Sequence, residues 1–262
     1  MSQCFTLILL RNMKKFATIF IAVICSFTAI YAQNLTATDI VKKAEDNSRG
    51  EQLYSEIKMT IVRPTWQREI SLKSWSKGTT YSLAVVTAPA KEKGQAFLKR
   101  GKDLWNWVPS IGRMIKMSSS VMGQSWMGSD FTNDDLMQES STVNDYTHAL
   151  NGSEKVREFD CYKIILTPKE NAAVVWGKVI MWVDKKDFLE IKTEFYDEDN
   201  ILVNTFNSYD IKQYGSRKLP SQMEVIPADK PNQKTVMTVL KYDFDTPIAD
   251  TFFSQQNMKI VK

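Results

Sequence analysis

The sequence contains few of the residues that most enzymes use for catalysis. Histidine occurs once, at His148, in a Tyr-Thr-His-Ala segment without an acidic or cysteine partner at metal-ligand spacing. A structural or surface role is therefore favoured for it over the role of a catalytic base. The chain has neither a glycine-rich phosphate loop after a strand nor a Gly-x-Ser-x-Gly nucleophile turn. We expect no enzyme activity, no catalytic residue, no bound metal and no cofactor.

The acidic residues also lack the spacing of a calcium site. Asp130, Asp134 and Asp135 cluster in the segment GSDFTNDDL. A calcium loop needs acids at alternate positions, a central glycine and a distal glutamate. The cluster instead predicts the start of a helix, with Ser129 or Asp130 as the N-cap and acids in the first turn.

The N-terminus has the pattern of a secretory signal. Met13 begins a short basic stretch, residues 16–30 form an apolar stretch too short to span a bilayer comfortably, and Ala32 offers a small residue before a cleavage site. We interpret residues 1–32 as a signal peptide whose true start is Met13, and residues 33–262 as one mature domain. The alternative is an uncleaved N-terminal anchor.

The predicted mature chain has one cysteine and almost no net charge. Cys161 is the only one of three cysteines after residue 32, so it cannot form an internal disulfide and is expected to be a small buried hydrophobe. The leader holds three of the 34 basic residues and none of the 30 acids, which leaves 31 bases against 30 acids. Charge therefore indicates no preference for nucleic acid or for an anionic membrane.

Alternating patterns predict strands along nearly the whole chain after one helix at residues 34–47, which Thr36 or Thr38 would cap. In the first strand, Ile57, Met59 and Ile61 share a face. We predict about ten or eleven strands, mostly in hairpin order, and a meander of this length usually curls or closes into a barrel.

The last predicted strand, residues 233–244, shows a regular alternation. It is expected to turn Val236, Thr238, Leu240 and Tyr242 inward, together with Phe244.

An unusual apolar segment follows two strands in the middle of the chain. The run GKDLWNWVP predicts a strand with Leu104 on one face and Trp105 and Trp107 on the other. Residues 122–136, hereafter the flap, then combine large apolar side chains with glycine and serine. Loops are normally polar, so this composition indicates a movable cover over an apolar surface.

Two interpretations fit the abundant aromatic residues. One is a well-filled core; the other is a cavity lined by aromatic residues and methionine that accepts acyl chains. The apolar flap favours the cavity. A strand at 173–184 would place Trp176, Ile180 and Trp182 on one face. The candidate lipid-contact residues are Phe97, Trp105, Trp107, Trp126, Met127, Phe131, Trp176 and Trp182.

Several motifs resemble one family. GKDLWNWVP resembles the GKxLWxYxP strand of LolA-type periplasmic lipoprotein carriers, and SWMGSDF followed by DDL resembles the FMGSDFxxxDL signature of LolA-like outer-membrane lipoprotein-sorting proteins. Later blocks also fit that family: WVD at 182–184, FYD at 195–197, LP at 219–220, and IAD with FF near the C-terminus. The resemblance covers essentially the whole predicted mature chain.

The resemblance implies a mainly β (α+β) fold: a curved, incompletely closed antiparallel β-barrel with helices covering its mouth. It also implies a periplasmic monomer that carries the acyl chains of lipoproteins, or another lipid, towards the outer membrane. Its partners would include an inner-membrane transporter and an outer-membrane acceptor. A lipid-binding accessory module of an envelope lipid exporter, and a scaffold with a filled interior, are the alternatives.

One position departs from the family pattern. The carriers hold the lid with an arginine on an early strand, and the corresponding region here, SWSKGTTYSLAVV, offers Lys77 as the nearest candidate. Lysine makes a weaker contact without the guanidinium fork. The sequence therefore decides neither which residue holds the lid nor which cargo the chain carries.

Overall fold

The computed structural model describes residues 35–137 and 141–261, so the predicted signal peptide at 1–32 lies outside the described residues. Within the unit Thr36–Lys262, the described residues form thirteen strands and three α-helices. The strands are Gln52–Val62 (β1), Gln67–Lys77 (β2), Tyr81–Ala88 (β3), Ala96–Arg100 (β4), Asp103–Val108 (β5), Arg113–Met117 (β6), Tyr146–Val156 (β7), Phe159–Pro168 (β8), Lys178–Asp184 (β9), Glu190–Tyr196 (β10), Leu202–Tyr214 (β11), Arg217–Pro227 (β12) and Lys234–Asp243 (β13). The helices are Ala37–Arg49 (α1), Asn133–Met137 (α2) and Asn257–Ile260 (α3).

All thirteen strands belong to one antiparallel sheet. Their order is β6-β5-β4-β3-β2-β1-β13-β12-β11-β10-β9-β8-β7, so only β1 and β13 join distant parts of the chain. The edge strands β6 and β7 are not paired with each other, and the sheet is not closed. The mainly β antiparallel fold is confirmed, but a barrel of ten or eleven strands is not what these residues form.

The edge strand β7 shows why the expected count is too low. Its eleven residues, YTHALNGSEKV, are almost all exposed or half-buried, and only Tyr146 is buried. A strand without a buried face has no alternation of polar and apolar residues, so its sequence resembles a loop. The hydrogen bonds to β8 define it, and they exist only in the folded sheet.

The sheet is strongly curved. Phe97 on β4 and Phe206 on β11 lie six strands apart, which would separate them by about 29 Å in a flat sheet. Both nevertheless belong to one hydrophobic cluster, in which Met59, Ile61 and Ile70 are completely buried. Curvature therefore creates a concave apolar face.

Helix α1 spans Ala37–Arg49 rather than residues 34–47, and the expected cap at Thr36 is confirmed. Thr36 caps it: its hydroxyl accepts a hydrogen bond from the Asp39 backbone N–H at 3.1 Å, and the Asp39 carboxylate accepts one from the Thr36 N–H at 3.0 Å. His148 bridges this helix to β7 with one ring nitrogen 3.0 Å from the Thr38 hydroxyl and the other 2.7 Å from the Thr142 carbonyl oxygen. The histidine has a structural role.

The inward face of β13 is the opposite of the expected one. Thr235, Met237 and Val239 are buried, whereas Leu240 is 60% exposed. Both faces of this strand carry apolar residues, so alternation could not decide between them. Pairing with β1 decides, because Met237 lies directly opposite Met59 on the concave face.

Strand β9 is shorter than the 173–184 segment suggests and starts at Lys178. Gly177 stands just before it, where the backbone passes so close to β10 that a Cβ atom would lie 2.4 Å from the Asp197 carbonyl oxygen. Trp176 therefore lies ahead of the strand. It contacts Phe195, whereas Trp182 packs in a separate cluster.

We expect Gly177→Ala to lower the free energy of unfolding by about 1–3 kcal/mol, because the new methyl group would collide with backbone atoms that cannot move aside. Chemical denaturation measures this change. Gly123→Ala is the matched control, since its Cβ would meet only the Val175 side chain, at 3.4 Å. Equal stability of the two variants would contradict the close approach at Gly177.

Candidate functional site

The flap fills the concave face of the sheet with its apolar side chains. Met122, Trp126 and Phe131 are exposed by only 3%, 1% and 2%, respectively. The Trp126 backbone N–H donates to the Phe131 carbonyl oxygen at 2.8 Å, and Ser125 and Thr132 form an isolated antiparallel bridge. This small loop holds its two large rings together.

A series of aromatic contacts crosses the concavity. The rings of Phe97 and Trp126 have centroids 5.4 Å apart, and those of Phe131 and Phe206 are 5.3 Å apart. From Phe206 the series continues to Phe195 at 4.6 Å and then to Trp176 at 5.1 Å. The flap thus connects β4 on one side of the concavity with β10 and β11 on the other.

Five of the eight candidate lipid-contact residues lie on this side of the sheet. They are Phe97, Trp126, Met127, Phe131 and Trp176. Sequence patterns did not single out Phe206, and Phe195 appeared only within the FYD block at 195–197. Both lie on strands that also carry many polar residues.

Trp105 and Trp107 lie on the opposite face of the sheet. Their cross-strand partners are Leu98 and Ala96, and all four belong to the cluster that the C-terminal residues Ile248–Val261 cover. The predicted alternation of β5 is correct, since Leu104 belongs to the concave cluster. Alternation alone does not indicate which face is concave.

Trp182 also lies away from the flap. It packs with Cys161 and Ile191, and its indole N–H donates to the Glu154 carboxylate at 3.1 Å. The ammonium group of Lys192 lies 4.4 Å from the ring centroid. As expected, Cys161 is fully buried, and burial raises the pKa of its thiol to about 11.

An arginine at the end of β1 holds the flap. The Arg63 guanidinium donates two hydrogen bonds to the Asp130 carboxylate, at 2.9 and 3.0 Å, and a third to the Gly128 carbonyl oxygen at 3.1 Å. The Thr235 hydroxyl donates to the same carboxylate at 2.7 Å and accepts from the Asp130 backbone N–H at 3.0 Å. Arg68 adds a bond to the Met127 carbonyl oxygen at 3.2 Å.

This arrangement changes two expectations. Neither Ser129 nor Asp130 caps a helix; α2 starts at Asn133, and the Thr132 hydroxyl accepts from the Asp135 N–H at 3.1 Å. Lys77 contacts no flap residue and instead donates to Asp250, at 2.6 Å, near the C-terminus. The sequence does carry a signal for Arg63. The inward positions of β1 are 57, 59 and 61, and the next position in this alternation, 63, holds a charged residue instead of an apolar one.

We expect Arg63→Lys to loosen the flap without unfolding the sheet. A lysine can replace one of the three contacts but not the fork on Asp130, so flap amides should exchange hydrogen about tenfold faster, which corresponds to roughly 1.4 kcal/mol. Hydrogen exchange followed by mass spectrometry measures this rate. Arg113→Lys, on the exposed part of edge strand β6, is the control. An unchanged flap rate in Arg63→Lys would contradict the latch.

Buried carboxyl groups lie below the helical end of the flap. Burial raises the pKa of Asp135 to about 7, and the nearby Asp134 and Glu190 carboxylates act in the same direction, whereas hydrogen bonds from Thr132 oppose the shift. Burial likewise raises the pKa of Glu190, beside Glu45 of α1. Both shifts favour the protonated form of these carboxyl groups relative to a carboxyl in water.

The pH dependence of stability follows from Asp135. Its folded pKa exceeds the ordinary value of 3.8, so the folded chain binds more protons between about pH 4 and 7, and its free energy of unfolding falls as pH rises through this window. Relative to the native chain, Asp135→Asn should gain stability by up to about 4 kcal/mol between pH 4 and pH 8. Urea unfolding at several pH values tests this. A stability difference that does not vary with pH would argue against the buried acid.

Beside the flap lies a cavity of about 520 Å³. Flap residues form one wall, and the loops joining β10 to β11 and β12 to β13 form the other. Arg63, Phe131, Trp176 and Asn204 are among the residues that line it. The cavity therefore touches both the latch and the aromatic series.

Metal ligands and membrane spans were also sought in the described ranges. No group of three or more His, Cys, Asp or Glu side chains in residues 35–137 and 141–261 is arranged to hold a metal ion. Within the same ranges no helix has the length and apolar character needed to cross a membrane.

Comparison with known proteins assigns the family. A family model with the description "-like: Uncharacterized protein" matches residues 78–260, more than half of the chain. None of the curated proteins compared with the chain matches it significantly. A solved DUF1329 family protein from Desulfovibrio piger is 26% identical, with a TM-score of 0.78 over 85% of this chain and 97% of that one.

Two further solved structures share the fold. A LolA superfamily protein from Nitrosomonas europaea is 24% identical, with a TM-score of 0.74 over 85% of this chain and 99% of its own. The chain belongs to the LolA-like family. A putative outer membrane lipoprotein-sorting protein domain from Vibrio parahaemolyticus, 20% identical, superposes with a TM-score of 0.76 over 85% of this LolA-like chain and 98% of its own.

Proposed function

We propose that this LolA-like chain is a periplasmic carrier, not an enzyme. It shields the acyl chains of lipoproteins, or of another lipid, against the concave face of its sheet and delivers them towards the outer membrane. The observation that carries the proposal is the flap: a segment whose large side chains Met122, Trp126 and Phe131 are buried on a concave apolar face, yet which is held at its edge by the polar contacts of Arg63. Such a segment can leave as a unit and return.

The free-energy cost of exposing the flap side chains is smaller than the free energy gained by burying an acyl chain. Exposing Met122, Trp126 and Phe131 costs about 4.5–9 kcal/mol, at roughly 1.5–3 kcal/mol for each side chain. A 16-carbon acyl chain gains about 12 kcal/mol on leaving water, at roughly 0.8 kcal/mol for each methylene. An acyl chain can therefore displace the flap, and the flap closes the surface again after the cargo leaves.

The proposed cargo surface contains the candidate residues on the concave side. Phe97 and Trp176 would act as wall, and Trp126, Met127 and Phe131 would cover the cargo or give way to it. Phe195 and Phe206 complete the wall. Trp105, Trp107 and Trp182 are not part of this proposal, because they lie on the other face.

The route of the cargo is part of the same proposal. Residues 1–32 would direct export, and residues 33–262 would form the monomeric carrier in the periplasm. It would accept its cargo from an inner-membrane transporter and release it to an outer-membrane acceptor. Support comes from the fold shared with the lipoprotein-sorting domain of Vibrio parahaemolyticus and from the displaceable flap.

Lipid extraction and native mass spectrometry of the purified chain test the proposal directly. We expect bound acyl lipid, or stoichiometric uptake of a fluorescent fatty acid by delipidated protein. A chain that neither contains nor takes up lipid would be a scaffold with a filled interior, and the carrier function would be rejected.

Locking the flap should abolish uptake. Because the Thr235 hydroxyl lies 3.0 Å from the Asp130 backbone nitrogen, the double variant Asp130→Cys/Thr235→Cys places two thiols within reach of a disulfide. We expect the oxidised variant to exclude the fluorescent fatty acid and the reduced variant to accept it. Bridge formation is verified by mass spectrometry, and buried Cys161 does not compete. Uptake by the fully bridged protein would show that the flap is not the entrance.

A further inference from the structure

The cavity beside the flap contains a buried donor without an acceptor. The Trp176 side chain is 8% exposed, and among the described residues its indole N–H has no hydrogen-bond partner. Native structures rarely leave a buried N–H unpaired, because the group has lost its hydrogen bond to water without gaining another. Trp176 lines the cavity, but its indole nitrogen has almost no accessible surface, so a ligand acceptor can approach it only when neighbouring atoms such as those of the flap move.

The charges around the cavity indicate what kind of acceptor it would be. Three carboxylates, Asp130, Asp197 and Asp229, and two cations, Arg63 and Lys230, line it. Arg63 is already paired with Asp130. The remaining acids outnumber the remaining base, which disfavours an anion and favours a neutral acceptor such as a carbonyl oxygen.

The position of Trp176 relates this polar site to the apolar surface. One side of its environment is the aromatic series, through Phe195 at 5.1 Å and on to Phe206. The other is the cavity, where buried Asn204 adds an amide that can donate and accept. Polar and charged residues of the two loops complete the rim. From the aromatic series through the cavity to the rim, the surroundings change from apolar to polar. A molecule with an apolar tail, a neutral carbonyl and a polar head has its groups in the same order.

We propose that Trp176 is the donor of a subsite for the ester or amide carbonyl that joins an acyl chain to its polar head. The subsite fixes the direction of the cargo: the tail runs along the Phe195–Phe206 wall under the flap, and the head stays at the rim between the loops. This inference rests on the carrier function proposed above and specifies the chemistry that it recognises.

The test compares two ligands of equal tail length in the native chain and in Trp176→Phe. The variant keeps an aromatic ring against Phe195 but loses the N–H together with part of the indole ring, and the alkane measures the effect of the lost ring volume. We expect a methyl ester of a 16-carbon acid to bind about three- to tenfold more weakly to the variant, and hexadecane to bind both chains equally. Displacement of a fluorescent fatty acid measures both affinities. Trp75→Phe, on the opposite face against Phe252, is the control and should change neither.

A second readout does not depend on affinity. In a nitrogen-15 NMR spectrum, the indole signal of Trp176, assigned by its loss in Trp176→Phe, should move downfield on addition of the ester and not on addition of hexadecane. Equal affinities of the ester for native and variant chains, or an equal loss for ester and alkane, would overturn the subsite and leave the carrier function standing. Failure of the native chain to bind either ligand would overturn both.

Two further ligands distinguish whether the carbonyl belongs to a phospholipid or to a lipoprotein. A diacyl phospholipid and a diacylated, amino-terminal lipopeptide carry the same ester linkages on different heads. A loss of affinity on Trp176→Phe for either supports the subsite, and the ligand with the larger loss indicates the preferred cargo. No loss for both would again overturn it.

Discussion

The structure depends on one constraint: a single curved sheet has a concave apolar face that water must not reach. No second sheet packs against this side among the described residues. Met59, Ile61 and Ile70 are fully buried in the same cluster as the flap side chains Trp126 and Phe131. The apolar composition of the flap, unusual for a connecting segment, follows from this requirement.

The forces that hold the flap differ in kind between its centre and its edges. In the centre, apolar contacts such as Trp126 on Phe97 are non-directional. At the edge, Arg63 and Thr235 form directional bonds to Asp130 that define the closed position. Near the helical end, burial raises the pKa of Asp135, so the stability of the folded chain depends on pH. The flap is thus held by non-directional contacts in its centre and by directional bonds at its edge.

Local patterns predicted the local features of the chain well. The inward set at 57, 59 and 61, the cap at Thr36 and the buried Cys161 all depend on neighbours in sequence and are confirmed. The residues of the latch were not recognised, because Arg63, Asp130 and Thr235 are separated by 67 and 105 residues. Edge strand β7 was missed for the complementary reason: it buries almost nothing, so no local pattern marks it.

The amino-acid sequence by itself determined a mainly β chain with an apolar flap and the motifs of the LolA-like family. It also determined that the Trp side chains of β5 point away from Leu104, because neighbouring residues of a strand alternate. Only the tertiary structure decided which face is concave, and so placed Trp105, Trp107 and Trp182 outside the flap and Trp176 beside a cavity. The physical reason is that alternation relates residues within a strand, whereas curvature, register and coverage arise from pairing between strands that are distant in sequence.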